Sequence, residues 1–279
     1  MKKKNIGLVF VYAALALIML FILLPYLWLL SCSFKTDQEI FSVVPHWIPR
    51  QFTFNNYLWA FSPLGPNIGP LLSNSIIAAG VTALLTLFFA ATGGYALGKF
   101  DVPGFKTIGI ILLLSQMFQG PLIMTPWYKT ASALGIVNTR LVLILIYCTS
   151  TIPIGVWLMK GFFAAVPNEL EEAAEIDGYG RVSIFFKIVL PLTLPGLAAV
   201  AIYSFILSWN DYQYALILTN SIRAKTIQVG IAELMDSMGK LNWGGIMATG
   251  IIVTIPVIVM FAFIQKYLVE GLTAGALKG

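Results

Sequence analysis

Long apolar stretches separated by polar connections limit what this chain can fold into. They lie near residues 6–30, 71–97, 107–118, 141–159, 188–218 and 244–267. About 20 apolar residues are needed to cross roughly 30 Å of hydrocarbon, so these stretches read as six membrane spans. Gly120-Pro121 and Pro126 break or kink the third, with an irregular continuation to Trp127 as its alternative end. Composition agrees: with 58% hydrophobic and 10% charged residues and a mean hydropathy of +0.86, too little polar surface exists to cover a soluble globule. The expected fold class is all-α, a polytopic membrane protein with six transmembrane helices.

An even number of spans puts both termini on one side. Lys2, Lys3, Lys4, Lys99, Lys106, Lys160, Arg181, Lys187, Lys266 and Lys278 fall on one face, on compact segments. The smaller set, Lys35, Arg50, Lys129, Arg140, Arg223, Lys225 and Lys240, falls on longer loops of the other. The positive-inside rule assigns the first face to the cytoplasm, which accounts for the net charge of +5 without a nucleic-acid partner. The first apolar run is too long for a secretory signal and no small-x-small cleavage site follows it, so it reads as an uncleaved anchor. Cys32 and Cys148 are too few for a disulfide framework and too far apart for a metal motif, and the lone His46 receives no role.

Residues 93–100, GGYALGKF, nearly match the phosphate-binding G-x4-G-K-[ST] pattern. Phe100 replaces the hydroxyl that would hold magnesium, however, and the run closes an apolar helix instead of following a strand. It reads as a helix end: Gly93, Gly94 and Ala96 permit close packing, and Lys99 marks the interface. No nucleotide or metal site is expected in this chain.

Residues 168–187, NELEEAAEIDGYGRVSIFFK, form a polar island between two apolar stretches. Glu169, Glu171, Glu172, Glu175 and Asp177 are five of the chain's twelve acidic residues, so the segment belongs at the membrane face. Asn168 and Glu171 fit a capping box, and the acidic first turn suits the helix dipole. Gly178 and Gly180 provide a stop. Leu170, Ala173, Ala174 and Asp177 fall near one side of the short helix, which is too short to stand alone. Val182, Phe185, Phe186 and Val189 then recur at helical spacing, predicting an amphipathic lead-in before Pro191 opens the fifth span. By composition the island is either such a device for passing a push into the membrane or a solvated connector.

Its spacing separates these readings. Glu172-Ala173-Ala174, Gly178, Ile188 and Leu190-Pro191 match EAA-x3-G-x9-I-x-L-P without a mismatch. The chain resembles permease subunits of binding-protein-dependent ABC importers, in the carbohydrate branch of maltose and glycerol-3-phosphate type, specifically its second, smaller permease. Residues 52–61, 71–79, 209–218, 243–257 and the GLTAGALKG end at 271–279 are similar to that branch in order along the chain.

The resemblance implies a type I ABC importer permease fold. Residues 1–279 would form a single transmembrane permease domain with an anchor helix at 6–30, core spans at about 71–267, a cytoplasmic coupling loop at 161–190 and a cytoplasmic tail at 268–279. It also implies a multi-pass protein of the bacterial inner (plasma) membrane and the import of a sugar or oligosaccharide. Its partners would be a homologous permease, two copies of an ATP-binding subunit that use ATP and Mg, and an extracytoplasmic sugar-binding protein. The chain would be no enzyme and bind no cofactor itself. Glu171, Glu172, Ala173, Ala174, Asp177, Gly178, Leu190 and Pro191 would couple it to the ATPase, and the tail residues Gly271, Thr273 and Gly275 would reach into the ATPase dimer. The segment 219–242 resembles the outer part that meets the binding protein.

Polar residues within the spans serve either the translocation path or interhelical hydrogen bonds: Asn74, Gln116, Gln119, Trp209, Asn210, Asp211 and Tyr212. The alternative function, a self-sufficient ion-coupled secondary carrier, requires buried titratable groups, for which Asp211 is the clear candidate.

Overall fold

The computed structural model describes residues 2–118, 120–236 and 242–276. In chain order they form α1 (Lys2–Ser33), α2 (Asp37–Ile40), α3 (Asn55–Phe61), α4 (Ile68–Lys99), α5 (Phe105–Ser115), α6 (Pro121–Ala133), α7 (Arg140–Ala164), α8 (Asn168–Ile176) and α9 (Arg181–Ile184). A π-helical turn (Phe185–Val189) follows, then α10 (Leu190–Leu192), α11 (Leu194–Trp209), α12 (Gln213–Leu218), α13 (Ile227–Asp236) and α14 (Trp243–Ala276). No strand occurs among the described residues.

Among the described residues, four helices are long and apolar enough to cross a membrane: the Leu8–Ser33 part of α1, α4, α7 and the Trp243–Tyr267 part of α14. A fifth candidate is a bent pair, Arg181–Leu192 followed by Leu194–Trp209 at 76°, apolar and long enough to cross only if the two count as one span. The third apolar stretch breaks at Gly120-Pro121 as expected, but continues as a helix and not as an irregular segment. Its helix α5 has 11 residues, and after a break α6 starts at Pro121, with its N-cap Gly120 at φ +81°. Proline is tolerated at the first helical position, which explains why the chain resumes a helix there instead of an irregular path.

The chain forms two compact units, Met1–Gly69 with Gly230–Ile255 and Pro70–Val229 with Pro256–Gly279. In the first, the apolar side chains of α1 from Leu8 to Leu24 are exposed all round, the pattern of a helix covered by lipid. The carbonyls at its end need partners, and Asn56 of α3 donates through Nδ2 to the oxygens of Ser33 at 2.9 Å and Lys35 at 2.8 Å. Lys35 is buried, lies over the Trp28 ring at 4.2 Å and donates to the His46 carbonyl. At the start of α14, Gly244 and Gly245 allow close approach: a Cβ would come within 2.5 Å of Asn56 or 2.1 Å of Trp59.

The second unit is organised on α7, whose most apolar window is 56% buried. One apolar cluster joins Val142, Leu143, Ile146 and Tyr147 to Ala78, Ala131, Ala215 and Leu218. The other joins Met159 and Phe163 to Ala90, Ala174, Ile184, Phe185, Val189 and Val200. Between them Thr86 and Thr151 share a 2.6 Å hydrogen bond, and Gly155 faces Ala90, Thr86 and Val200 at 3.1–3.2 Å from a constructed Cβ. The GGYALGKF run does close α4, and its glycines lie against α7. A Cβ at Gly94 would sit 2.6 Å from Met159 Cβ, and one at Gly98 would sit 2.9 Å from the Lys160 carbonyl.

Candidate functional site

The polar island folds as α8, a glycine corner and a bent lead-in. Helix α8 ends on a Schellman motif: the Gly178 N–H donates to the Glu175 carbonyl and the Tyr179 N–H to the Ala174 carbonyl, both at 3.0 Å. Gly178 adopts φ +84°, the left-handed conformation this motif requires.

The start of α8 departs from the expected capping box. Pro167 is the N-cap, and no side chain caps the first turn. The Asn168 amide oxygen instead accepts from Lys99 Nζ at 2.8 Å. Glu171 pairs through Oε1 with the same ammonium at 2.8 Å, and its Oε2 accepts from the Tyr95 hydroxyl at 2.7 Å. Tertiary partners at the end of α4 therefore outcompete the local cap. Tyr95 packs on Phe163 and Phe185, with ring centroids 5.5 and 4.9 Å apart, so an aromatic floor holds the hydroxyl that orients Glu171.

Of the paired alanines, Ala174 faces inward and is buried, whereas Ala173 is exposed. Glu172, Ala173, Leu170, Asp177 and an 88% exposed Ile176 make up the outer surface of α8 and its corner. This short helix thus carries acidic and apolar groups together on a surface the rest of the chain leaves open. Tyr95, Lys99, Glu171, Glu172, Glu175 and Arg181 line a cleft of about 220 Å³ beside it.

The lead-in also differs from the expected amphipathic helix. Ile184, Phe185 and Val189 are buried, while Val182 and Phe186 are exposed. The π-helical turn inserts an i→i+5 repeat, which shifts the buried face away from the regular three- and four-residue spacing. Leu190 is half-buried and Pro191 exposed. The bend follows at Thr193, a buried residue whose hydroxyl donates to the Val189 and Leu190 carbonyls at 3.2 and 3.0 Å. Pro191 and Pro195 supply no backbone N–H around this position, so the hydroxyl contacts accompany a locally depleted helical ladder.

The polar residues expected within the spans separate into two groups. Asn74 is fully buried and serves as interhelical glue: its amide donates to the Ile222 and Lys225 carbonyls and accepts from Arg140 Nε at 2.7 Å. Trp209 is likewise buried, stacked on Phe205 at 5.6 Å. Asn210 and Asp211, by contrast, line an open cavity of about 770 Å³ with Gly120, Ser150, Tyr203, Gln213 and Tyr214. Tyr212 is exposed outside that lining, and Gln116 donates to the Thr149 carbonyl at 3.2 Å. Gln119 lies outside the described residues. Ser150, Tyr203, Gln213 and Tyr214 were not singled out from sequence, because they come from α7, α11 and α12 and meet around one cavity only in the fold.

Asp211 Oδ2 accepts from the Tyr147 hydroxyl at 2.8 Å and from the Ala215 N–H at 3.0 Å, while Oδ1 accepts from the Tyr214 N–H at 3.3 Å. It thereby caps α12 from outside its first turn. Gly271, Thr273 and Gly275 lie in the last turns of α14, whose helical backbone continues through the expected tail to Ala276.

Fold and site together define a helical, multi-span membrane protein with a polar loop packed onto its spans. Residues 4–273 match the family described as binding-protein-dependent transport system inner membrane component, and the chain belongs to that family. It is 34% identical to the inner membrane ABC transporter permease protein YcjP of Escherichia coli, over 99% of both chains. It is 35% identical to the trehalose/maltose transport system permease protein MalG of Thermococcus litoralis, over 99% of this chain and 98% of that one. The trehalose transport system permease protein SugB of Mycobacterium tuberculosis is 36% identical over 92% of this chain and 93% of its own. Its fold is similar to a chain in the crystal structure of a bacterial ABC transporter involved in the import of the acidic polysaccharide alginate, with a TM-score of 0.79 and 23% identity over 96% of this chain and 98% of that one.

Proposed function

We propose that this chain is the smaller of two permease subunits in an ATP-driven importer of a sugar or oligosaccharide, and that α8 is its coupling helix. In this reading residues 1–279 act as one permease domain with six spans, the third completed by the broken α5–α6 segment, and with both termini in the cytoplasm. A homologous permease, two ATPase subunits and an extracytoplasmic sugar-binding protein complete the assembly. ATP and Mg belong to the ATPase subunits, so this chain moves sugar and catalyses no reaction.

The observation that carries the reading is the fit of the EAA-x3-G-x9-I-x-L-P spacing to the geometry. Glu172 and Ala173 face outward on α8, Gly178 turns the corner in a left-handed conformation, and Leu190-Pro191 lie just before the bend in the pair Arg181–Leu192 and Leu194–Trp209. Support for sugar as cargo comes from the relatives named for trehalose and maltose. Support for a binding-protein partner comes from the family description and from a related fold solved with an alginate pentasaccharide-bound periplasmic protein.

Mechanically, Glu172, Ala173 and Ile176 meet the ATPase surface, Ala174 holds the helix to its own spans, and Gly178 passes displacement to the lead-in. Asp177, Leu190 and Pro191 belong to the same lever. Tail residues Gly271, Thr273 and Gly275 extend α14 towards the ATPase dimer. The cavity beside Asn210 and Asp211 is this subunit's share of the sugar path, since tyrosine faces, amides and a carboxylate suit hydroxyl-rich ligands. The test is uptake into proteoliposomes holding the complete importer. Uptake that requires ATP and the binding protein supports the proposal; uptake driven by an ion gradient without ATPase subunits would establish the secondary-carrier alternative.

A further inference from the structure

We infer that Lys99 is a positioning residue that clasps α8 to the end of α4, so that force arriving at α8 enters α4 as well as the spans to which α8 is covalently joined. The proposal rests on the coupling role of α8 given above. It assigns a function to the GGYALGKF run, which the phosphate-binding reading could not explain.

An ammonium has three N–H donors: Lys99 Nζ donates to the Val166 carbonyl at 2.6 Å and to Asn168 Oδ1 at 2.8 Å, and it forms an ion pair with Glu171 Oε1 at 2.8 Å. Val166 lies in the link from α7, Asn168 opens α8 and Glu171 is one turn further on, so a single cation closes the whole entry to the helix. The other oxygen of Glu171 is held by Tyr95, one turn before Lys99 on α4. The Lys99 and Glu171 side chains are only 5% and 18% exposed. Removing one partner would leave the other charge little exposed and without its counter-ion.

Backbone packing places the clasp. Gly94 and Gly98 let the end of α4 approach α7 more closely than any side chain would allow, with constructed Cβ positions 2.6 and 2.9 Å from Met159 Cβ and the Lys160 carbonyl. That approach brings Lys99 over the link between α7 and α8. The exposed Arg181–Glu175 pair, at 4.0 Å and with side chains 73% and 53% exposed, offers no comparable attachment at the other end of the helix. Without Lys99, α8 keeps its covalent links to α7 and the lead-in and the Tyr95–Glu171 hydrogen bond, but loses its ionic attachment to α4.

The test uses the complete importer in proteoliposomes, measuring retained ATPase subunits, ATP hydrolysis and sugar uptake. Lys99→Met is expected to retain the ATPase subunits and hydrolyse ATP while uptake per ATP falls about ten-fold, since the cost falls on transmission through a broken buried pair. Lys99→Arg is expected to recover most of the loss, because it restores a cation and its donors. An unchanged ratio in an assembled Lys99→Met importer would overturn the clasp, as would an Arg variant no better than Met. So would assembly, hydrolysis and uptake falling in proportion, the signature of a merely structural residue. If Lys99→Met does not assemble, Tyr95→Phe removes a single hydrogen bond to Glu171. A drop of about two-fold in uptake per ATP then supports the clasp, consistent with one bond to a charged group, and no change counts against it. A wild-type importer without ATP-driven uptake would defeat the proposed function instead, so the two failures are distinguishable.

Discussion

Replacing Gly94 by alanine sets two effects of opposite sign against each other. In a helix interior alanine is favoured over glycine by about 0.5–1 kcal/mol, so local propensity alone predicts a more stable protein. The structure predicts the reverse. The new Cβ would stand 2.6 Å from Met159 Cβ and 3.1 Å from both the Lys160 nitrogen and the Met159 carbonyl carbon. Carbon atoms pack best at about 3.5–4.0 Å, so α4 and α7 must separate by roughly 1 Å, and the atoms in the way are backbone or next to it. Overpacking of this kind costs about 1–3 kcal/mol, and a contact as short as 2.6 Å against groups on the backbone belongs in the upper part of that range, which leaves a net destabilisation of about 1–2.5 kcal/mol. Gly80, earlier on the same helix, has nothing within 4 Å of its constructed Cβ and serves as the control. Thermal unfolding of the detergent-solubilised subunit should show Gly80→Ala melting above wild type and Gly94→Ala below it. Gly94→Ala melting at or above wild type would refute the close approach of α4 and α7, and with it the placement of Lys99.

Gly178→Val forces a β-branched residue to φ +84°, at about 1–2 kcal/mol for a left-handed L-residue, and should lower uptake per assembled importer more than it lowers the melting temperature; equal uptake would remove the corner from the lever.

Elements set by short-range rules were legible in the sequence. Gly178 as a helix stop and Lys99 as a helix end needed only local conformational preference and the edge of an apolar run, and the structure has both. What depended on distant partners was not legible. Asn168 and Glu171 satisfy a capping box on paper, yet a lysine some 70 positions earlier, brought close by Gly94 and Gly98, takes both side chains. Val182 and Phe186 matched a helical face that the π-helical turn rotated out of register. Among the polar residues, spacing could not distinguish Asn74, which ties α4 to the segment after α12 and to Arg140, from Asn210, which faces a cavity. Only the bend after Trp209 separates a buried tryptophan from the exposed groups that follow it.

The central claim is that energy enters this chain through the outer face of α8. Its most direct test is ATP-driven sugar uptake by the complete importer carrying Glu172→Lys, with retained ATPase subunits quantified in the same preparation. Reversing an exposed charge on that face should leave the fold intact, reduce the ATPase subunits retained and take uptake to background. Unchanged ATPase association together with unchanged transport would contradict the claim.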